Sequence, residues 1–77
     1  MISRGDTGLV PEFDQADRMR KALRVADLSV SEMAEYLGVT RESVGRWING
    51  RNAPSTQTLR LWASRTGVSY DWLVTGE

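Results

Sequence analysis

Hydrophobic residues recur at three- and four-residue spacing through most of this chain, which is the pattern of amphipathic helices. The first such set predicts a helix that begins between Pro11 and Asp14 and ends near residue 26. Three cations, Arg18, Lys21 and Arg24, fall on other faces of this helix and are expected to be solvated. The apolar face consists of Met19, Ala22, Leu23 and Ala26.

A second helix begins after Ser29, because Ser29 and Glu32 form an S-x-x-E capping box. Gly38 ends it, since a glycine accepts the left-handed conformation that closes a helix. Val39 is expected to tuck back beneath this turn. The buried side of the second helix consists of Val30, Met33, Ala34 and Leu37.

Thr40 caps a third helix, in which Val44 and Trp47 lie three residues apart and face inward. The pair Asn49-Gly50 ends this helix, and residues 51–54 form a loop. The remaining positions should face outward, and they are Arg41, Glu42, Gly45, Arg46 and Asn49.

Two further helices follow, and no segment alternates as a strand would. Ser55 caps the fourth, which runs to about Arg65 before Gly67, and Ser69 caps a last helix over 70–74 that ends at Gly76. The core positions of the fourth helix are Leu59, Trp62 and Ala63. The sequence therefore predicts an all-α fold, a compact five-helix bundle over 11–77.

Residues 1–10 have no helical period and are interpreted as a flexible N-terminal arm. Arg4 in this arm could reach a minor groove. A frayed terminus without a role is the alternative.

Composition excludes several chemistries. The 77 residues contain no cysteine and no histidine, which removes disulfides, the usual zinc ligands and the commonest general base. No nucleophile–base pair or metal cluster has a usable spacing, so an enzyme, a cofactor, a metal site and a small-molecule substrate are not expected. No apolar run is long enough to span a membrane, and a soluble, cytoplasmic protein is expected.

The formal net charge is zero, but the charges are unevenly distributed. Residues 1–40 carry −2 and residues 67–77 carry −2. Residues 41–66 carry five arginines against Glu42 alone, a net charge of +4. The positive segment begins where the third helix begins, which favours a phosphate-facing surface over an ordinary solvated face.

Gly45 is unusual within the third helix, because glycine there costs about 1 kcal/mol against alanine. The cost is explained if another molecule must approach the backbone closely at this point. A surface glycine without consequence is the alternative.

Three stretches together resemble the phage Cro and phage-repressor type of helix-turn-helix domain, the XRE family. They are LSVSEMAEYLGVT for the second helix and its turn, SVGRWINGRNAPS for the third helix and its exit loop, and GVSYDWLVTGE at the end. With the first helix included, the likeness covers about four-fifths of the chain. It implies a lambda-repressor-like DNA-binding domain that regulates transcription sequence-specifically, as a phage Cro-like repressor does. The third helix (about 41–49) would lie in the major groove of an operator on double-stranded DNA, in the host bacterial cytoplasm.

The resemblance also implies roles for individual positions. Base edges would be read from the third helix, and arginine suits guanine O6 and N7 while Glu42 suits cytosine N4. The base-reading positions are Arg41, Glu42, Gly45 and Arg46. The positions that match contacts to the DNA backbone are Ser29, Ser31, Thr40, Ser43, Asn49, Arg51 and Asn52.

The chain departs from the family pattern at two places. Val30 stands where a glutamine commonly bridges a phosphate and the third helix, so this contact is expected to pass to Ser29, Ser31 or the backbone N–H groups of the helix end. Leu23 and Ile48 stand where some relatives bury a charge pair between the first and third helices, and an apolar pair can be equally stable.

Full-length repressors of the family continue into an oligomerisation domain, whereas this chain ends at Glu77, as a Cro-type protein or an isolated N-terminal domain would. Monomer and homodimer both remain open. The apolar residues that could form a dimer contact are Leu61, Tyr70, Trp72 and Leu73. Ordinary core packing is the alternative role for each of them. A second function class, an antitoxin-like or adaptor module that acts by protein–protein contact, also remains open, although the arginines of the third helix favour a repressor.

Overall fold

A computed structural model of the chain describes residues 14–77, and within them the predicted five helices are confirmed. The interpretation of residues 1–10 as an arm, the predicted role of Arg4 and the position of Pro11 lie outside the described residues. No helix in the described range is long and apolar enough to cross a membrane. The helices are α1 (Gln15–Val25), α2 (Val30–Leu37), α3 (Arg41–Ile48), α4 (Thr56–Thr66) and α5 (Tyr70–Thr75).

Every helix begins at a side chain that accepts a hydrogen bond from a backbone N–H group of the first turn. The predicted capping box of α2 is present, with Glu32 N–H donating to Ser29 Oγ at 3.0 Å. A second box, formed by Asp14 and Asp17 at the start of α1, was not predicted. The five capping residues are Asp14, Ser29, Thr40, Ser55 and Ser69.

The helix ends also follow the sequence, with one exception. Gly38, Gly67 and Gly76 adopt the left-handed conformation at the ends of α2, α4 and α5. Val39 is 36% exposed, so the prediction that it tucks beneath the turn is wrong. Its backbone N–H group closes the turn by donating to Ala34 O at 3.0 Å, which leaves the side chain outside.

The core lies where α1 packs against α3, α4 and α5, with α2 closing it against α3 and α4. Trp62 is fully buried and its indole Nε1–H donates to Met19 O at 3.2 Å, which joins α4 to α1. Leu23 and Ile48, the apolar pair expected between α1 and α3, belong to this core: Leu23 is buried and Ile48 is half-buried. Its largest fully buried side chains are Trp62, Met19, Met33, Leu73 and Val44.

Arg18 was expected to be solvated, and this prediction is wrong because only 9% of the residue is exposed. Its Nε donates to Leu73 O at 3.0 Å and its Nη2 donates to Val74 O at 2.9 Å. These carbonyl groups belong to the last turn of α5, where no further helical N–H group is available to them. Arg18 therefore joins α1 to the C-terminal end of α5. Lys21 and Arg24 are exposed, as expected.

Replacing Arg18 by methionine should lower the free energy of unfolding by about 2 kcal/mol, because buried carbonyl groups lose a charged donor. Arg24→Met is the matched control: it removes the same group from the exposed side of α1 and should change stability by no more than about 0.5 kcal/mol. Urea unfolding followed by tryptophan fluorescence measures both. Equal effects of the two variants would show that the contacts of Arg18 with α5 contribute nothing specific.

The capping box of α2 predicts a pH dependence. The Ser29 backbone N–H group donates to Glu32 Oε1 at 2.8 Å, and this bond, followed by the Ser29 hydroxyl, holds the pKa of Glu32 below its ordinary value of 4.5. Because the folded-state pKa is the lower one, the stabilisation is complete above pH 4.5 and is lost as the pH falls through the lowered pKa.

Glu32→Gln keeps an acceptor at this position but removes the charge. The wild type should therefore unfold at a higher urea concentration than Glu32→Gln at about pH 7, and the two midpoints should converge near pH 2. If the two urea midpoints differ as much at acidic pH as at neutral pH, the effect of the substitution comes from packing and not from the charge of the carboxylate.

Candidate nucleic-acid interface

The α3 helix has one buried side and one exposed side. Val44 is completely buried, and Trp47 and Ile48 are half-buried against the core, so the inward direction predicted for Val44 and Trp47 is confirmed. Because an α-helix has 3.6 residues per turn, these positions leave the opposite side of the cylinder to solvent. The fold thus presents α3 on the surface along its full length.

The exposed side of α3 carries a strip of four residues. Arg41, Glu42 and Arg46 are exposed, and Gly45 lies between them with partial exposure. We call these four residues the outer strip. Its side chains offer bidentate donors and one carboxylate acceptor without burying apolar surface, so it is suited to a polar partner such as the edges of base pairs.

A series of side-chain hydrogen bonds runs beside the outer strip. Thr40 Oγ1 donates to Ser43 Oγ at 3.1 Å and accepts from the Ser43 backbone N–H group at 3.1 Å. Arg46 Nη2 donates to the same Ser43 Oγ at 3.4 Å. The side chains of Thr40, Ser43 and Arg46 are therefore linked, one turn apart, on the surface of α3.

Asn52 continues this series from the loop. Its amide is assigned the orientation that pairs its oxygen with a donor and its nitrogen with an acceptor, and in this orientation Oδ1 accepts from Arg46 Nε at 3.3 Å while Nδ2 donates to Arg51 O at 2.8 Å. The backbone N–H groups of Arg51 and Asn52 also donate to Arg46 O, at 2.9 and 3.4 Å. The loop after α3 consequently folds back onto Arg46.

The four last carbonyl groups of α3 are all hydrogen-bonded, although a helix end leaves them without helical partners. Backbone N–H groups of the following loop bind the carbonyl oxygens of Gly45, Arg46 and Trp47. The oxygen of Ile48, the last residue of the helix, accepts from Arg20 Nη1 of α1. Arg20 is held in turn by an ion pair with Asp17.

Arg20 therefore provides a charged connection between α1 and the end of α3. From the sequence, only the apolar pair Leu23 and Ile48 was expected at this contact, and Arg20 was not identified. One signal was present in the sequence: Asp17 and Arg20 are three residues apart on one helix, a spacing at which opposite charges pair. Nothing in the sequence indicated that Ile48 O is the other partner.

The loop lies against the first turn of α1. A shallow, open cleft separates them, lined by Trp47, Ala53 and Pro54 on one side and by Asp14 and Ala16 on the other. Gly50 has a φ of 75°, which permits the turn at the end of α3. The exposed side chains of Asn49 before Gly50, and of Arg51 and Asn52 after it, come directly after the outer strip in sequence.

The start of α2 places Ser29 and Ser31 in solvent and Val30 half-buried against the core. Val30 therefore packs inward at the position where a glutamine is common in the XRE family, which this chain resembles. The Ser29 hydroxyl accepts the Glu32 N–H group as the cap, and Ser31 is exposed beside it. Both serines are therefore exposed at the first turn of α2.

The remaining arginines of the positive segment lie over aromatic rings. The guanidinium carbon of Arg60 is 4.8 Å from the centre of the Tyr70 ring, and that of Arg65 is 5.9 Å from the centre of the Tyr36 ring. In these cation–π contacts the two guanidinium groups interact with tyrosine rings of the same chain. The exposed cations Arg41, Arg46 and Arg51 are instead concentrated on α3 and its loop.

The apolar candidates for a dimer contact divide into two groups. Leu73 is completely buried in the core, so its side chain is not available on the surface of the folded chain. Leu61, Tyr70 and Trp72 are half-buried and keep part of their surface in solvent. Within residues 14–77, no group of three or more acidic side chains is arranged to hold a metal ion.

Comparison with known proteins identifies a family. Residues 19–73 match the family described as Helix-turn-helix. The chain is 33% identical over 60 residues to the SPbeta prophage-derived uncharacterized HTH-type transcriptional regulator YonR of Bacillus subtilis, covering 78% of this chain and 56% of that protein. It is 34% identical over 68 residues to the HTH-type transcriptional regulator PrtR of Pseudomonas aeruginosa, covering 88% of this chain and 26% of that protein.

A third relative is an uncharacterized HTH-type transcriptional regulator of Haemophilus influenzae, 45% identical over 47 residues. These residues are 61% of this chain and 20% of that protein. The chain thus spans about half the length of YonR, about a quarter of PrtR and about a fifth of the Haemophilus protein. The similarity lies in the part of each relative that aligns with this helical domain.

Gly45 has no internal requirement for glycine. Its φ is not in the left-handed region, and a Cβ built on it meets no atom within 4 Å. Gly45→Ala should therefore raise the free energy of unfolding by about 1 kcal/mol, through helix propensity alone. Urea unfolding checks this, with Gly38→Ala as the contrasting variant, which should destabilise because Gly38 has a φ of 74°. A loss of stability in Gly45→Ala would contradict the open space found around it.

Proposed function

Since the chain belongs to the helix-turn-helix family, we propose that it binds double-stranded DNA sequence-specifically and regulates transcription, as a Cro-like repressor would, by placing α3 in the major groove of an operator. The observation that carries this proposal is the outer strip. It is an exposed helix face with two arginines and one glutamate, on a helix whose other side is fixed in the core. A helix of this kind fits the width of the major groove.

In this arrangement the outer strip supplies the base contacts. Arg41 and Arg46 each donate two hydrogen bonds to a guanine, and Glu42 accepts one from a cytosine amino group. Gly45, with open space around its backbone, allows a base edge or methyl group to approach the helix closely. Each good bidentate contact contributes about 1–3 kcal/mol of discrimination between bases.

Contacts to the sugar-phosphate backbone flank the strip on both sides. Thr40 and Ser43 lie at the start of α3, Ser29 and Ser31 at the start of α2, and the N–H groups of both helix starts favour an anion. Asn49, Arg51 and Asn52 lie at the other end, in the turn and loop that follow α3. Such contacts fix the register of the protein on DNA but do not distinguish sequences.

A homodimer is proposed as the binding form on a palindromic operator, with half-sites about one helical turn apart. The surface available for it includes the half-buried Leu61, Tyr70 and Trp72. The relatives named above support the regulatory role, since each carries the name of a transcriptional regulator and one derives from a prophage. On this proposal the protein acts on DNA in the bacterial cytoplasm.

Selection of binding sites from random double-stranded DNA tests the proposal. Enrichment of a palindrome supports a dimeric repressor, and enrichment of a single short motif supports a monomer on one half-site. Absence of any enriched sequence, with affinity that depends on salt alone, would overturn sequence-specific binding and favour a module that acts through protein contacts.

Two single substitutions should separate base reading from backbone binding. Arg46→Ala should weaken binding to the selected site by about 1–3 kcal/mol and relax the preference at one base position. Arg51→Ala should weaken binding to all sequences alike and flatten the dependence of log K on log salt by about one unit. Titrations on the selected site and on random DNA at several salt concentrations measure both effects.

Lys21→Ala is the control, because it removes an exposed positive charge from α1. It should reduce affinity less than either arginine variant, and equally on both DNAs. Unchanged base preference in Arg46→Ala would exclude Arg46 as a base reader, and a loss restricted to the selected site in Arg51→Ala would exclude a purely backbone role for Arg51.

A further inference from the structure

Asn52 was expected only to contact the DNA backbone, but the structure connects it to Arg46. In the amide orientation that satisfies both of its ends, Asn52 Oδ1 accepts from Arg46 Nε at 3.3 Å. Ser43, also expected at the backbone, accepts from Arg46 Nη2 at 3.4 Å. Two residues from different segments, one in the helix and one in the loop, therefore bind the same guanidinium group.

Both partners are themselves fixed. The Asn52 amide donates to Arg51 O at 2.8 Å, and the loop that carries it is bound to Arg46 O through two backbone N–H groups. The Ser43 hydroxyl is bound to Thr40, the capping residue of α3, at 3.1 Å. The acceptors are thus set by the backbone of α3 and its loop before any ligand arrives.

The contacts of Asn52 and Ser43 use Nε and Nη2 of the guanidinium. In this planar group the Nε–H bond and one N–H bond of Nη2 point from the same edge, whereas Nη1 and the second N–H bond of Nη2 form the end of the side chain. Engagement of Nε by Asn52 and of Nη2 by Ser43 leaves Nη1, at the end of the group, without a hydrogen bond among residues 14–77. A pair of donors at this end matches the O6 and N7 acceptors of guanine.

We propose that Asn52, assisted by Ser43, is a positioning residue that holds the Arg46 guanidinium with its terminal edge toward the base it reads. This inference rests on the proposed function, in which Arg46 contacts a base in the major groove. Its benefit is that the rotamers of a long side chain are restricted before binding, so less conformational entropy is lost in the complex. Asn52 then affects specificity through Arg46 rather than through a contact of its own with a base.

The first test concerns the free protein and needs no DNA. Nitrogen-15 relaxation of the arginine Nε–H groups should show Arg46 more ordered than Arg41, an exposed arginine of the same strip with no side-chain hydrogen bond among residues 14–77. In Asn52→Ala, Arg46 should become as mobile as Arg41. Equal mobility of Arg46 in the wild type and Asn52→Ala would overturn the positioning role, whatever the DNA measurements show.

The second test is a double-mutant cycle on the selected DNA site and on the same site changed at the base that Arg46 reads. Asn52→Ala should lower affinity about three- to tenfold on the selected site and little on the changed site. In the Arg46→Ala background, Asn52→Ala should cause a smaller loss, limited to that of its own contact with the DNA backbone and the same on both sites. An equal loss in both backgrounds and on both sites would leave only the backbone contact and overturn the positioning role.

Two variants complete the design. Asn52→Asp keeps the acceptor for Arg46 Nε, so base preference and Arg46 order should be retained while affinity falls on all DNA because of the added negative charge. Asn49→Ala, the same residue type at the end of α3, should act equally in both backgrounds. If Arg46→Ala itself leaves base preference unchanged, the proposed base reading fails; if it abolishes the preference without coupling to Asn52, only the positioning role fails.

Discussion

Two arginines of α1 bind the carbonyl groups at which two other helices end, and the arrangement of the bundle depends on these contacts. A helix leaves its last carbonyl oxygens without partners, and burial makes an unpaired oxygen costly. Arg18 supplies donors to the end of α5, and Arg20 supplies one to the end of α3. The N–H groups of arginine are fixed in one plane and stay charged at any accessible pH, so they suit this role better than lysine would.

These contacts determine how rigidly the outer strip is presented. The start of α3 is capped by Thr40, next to the turn from α2, and its end is bound by Arg20 and by the loop. Between them Val44 is buried in the core. A helix fixed at both ends and along one side can hold its exposed side chains at a constant distance from one another, which is what reading neighbouring base pairs demands.

The sequence was sufficient for those features that depend on neighbours along the chain. Capping by Ser29 and Thr40 and the left-handed glycines act within one helical turn, and the buried side of each helix follows from its period. Prediction failed where a partner is distant in sequence. Arg18 falls on the expected outer face of α1 and is buried only because α5, more than 50 residues later, ends above it.

The candidate site shows the same division. The exposure of Arg41, Glu42 and Arg46 follows from the helical period once Val44 and Trp47 are assigned inward. The link between Arg46 and Asn52 does not, because it depends on the path of the loop, which turns at Gly50 and is bound to Arg46 O by two backbone N–H groups. A pattern of residue types can indicate which side chains are near DNA, but not which of them hold one another.

The open space at Gly45 has an evolutionary consequence. Most positions of a binding surface are constrained twice, since a change that alters recognition usually also disturbs the packing or hydrogen bonding of the protein. At Gly45 the second constraint is absent, because the fold requires neither its conformation nor its small size. Substitutions at this position can therefore be accepted in evolution without loss of stability, or with a gain. An increase in the free energy of unfolding can then offset a destabilising substitution elsewhere in the protein. Divergence of binding preference among close relatives should be easiest to begin at this one position.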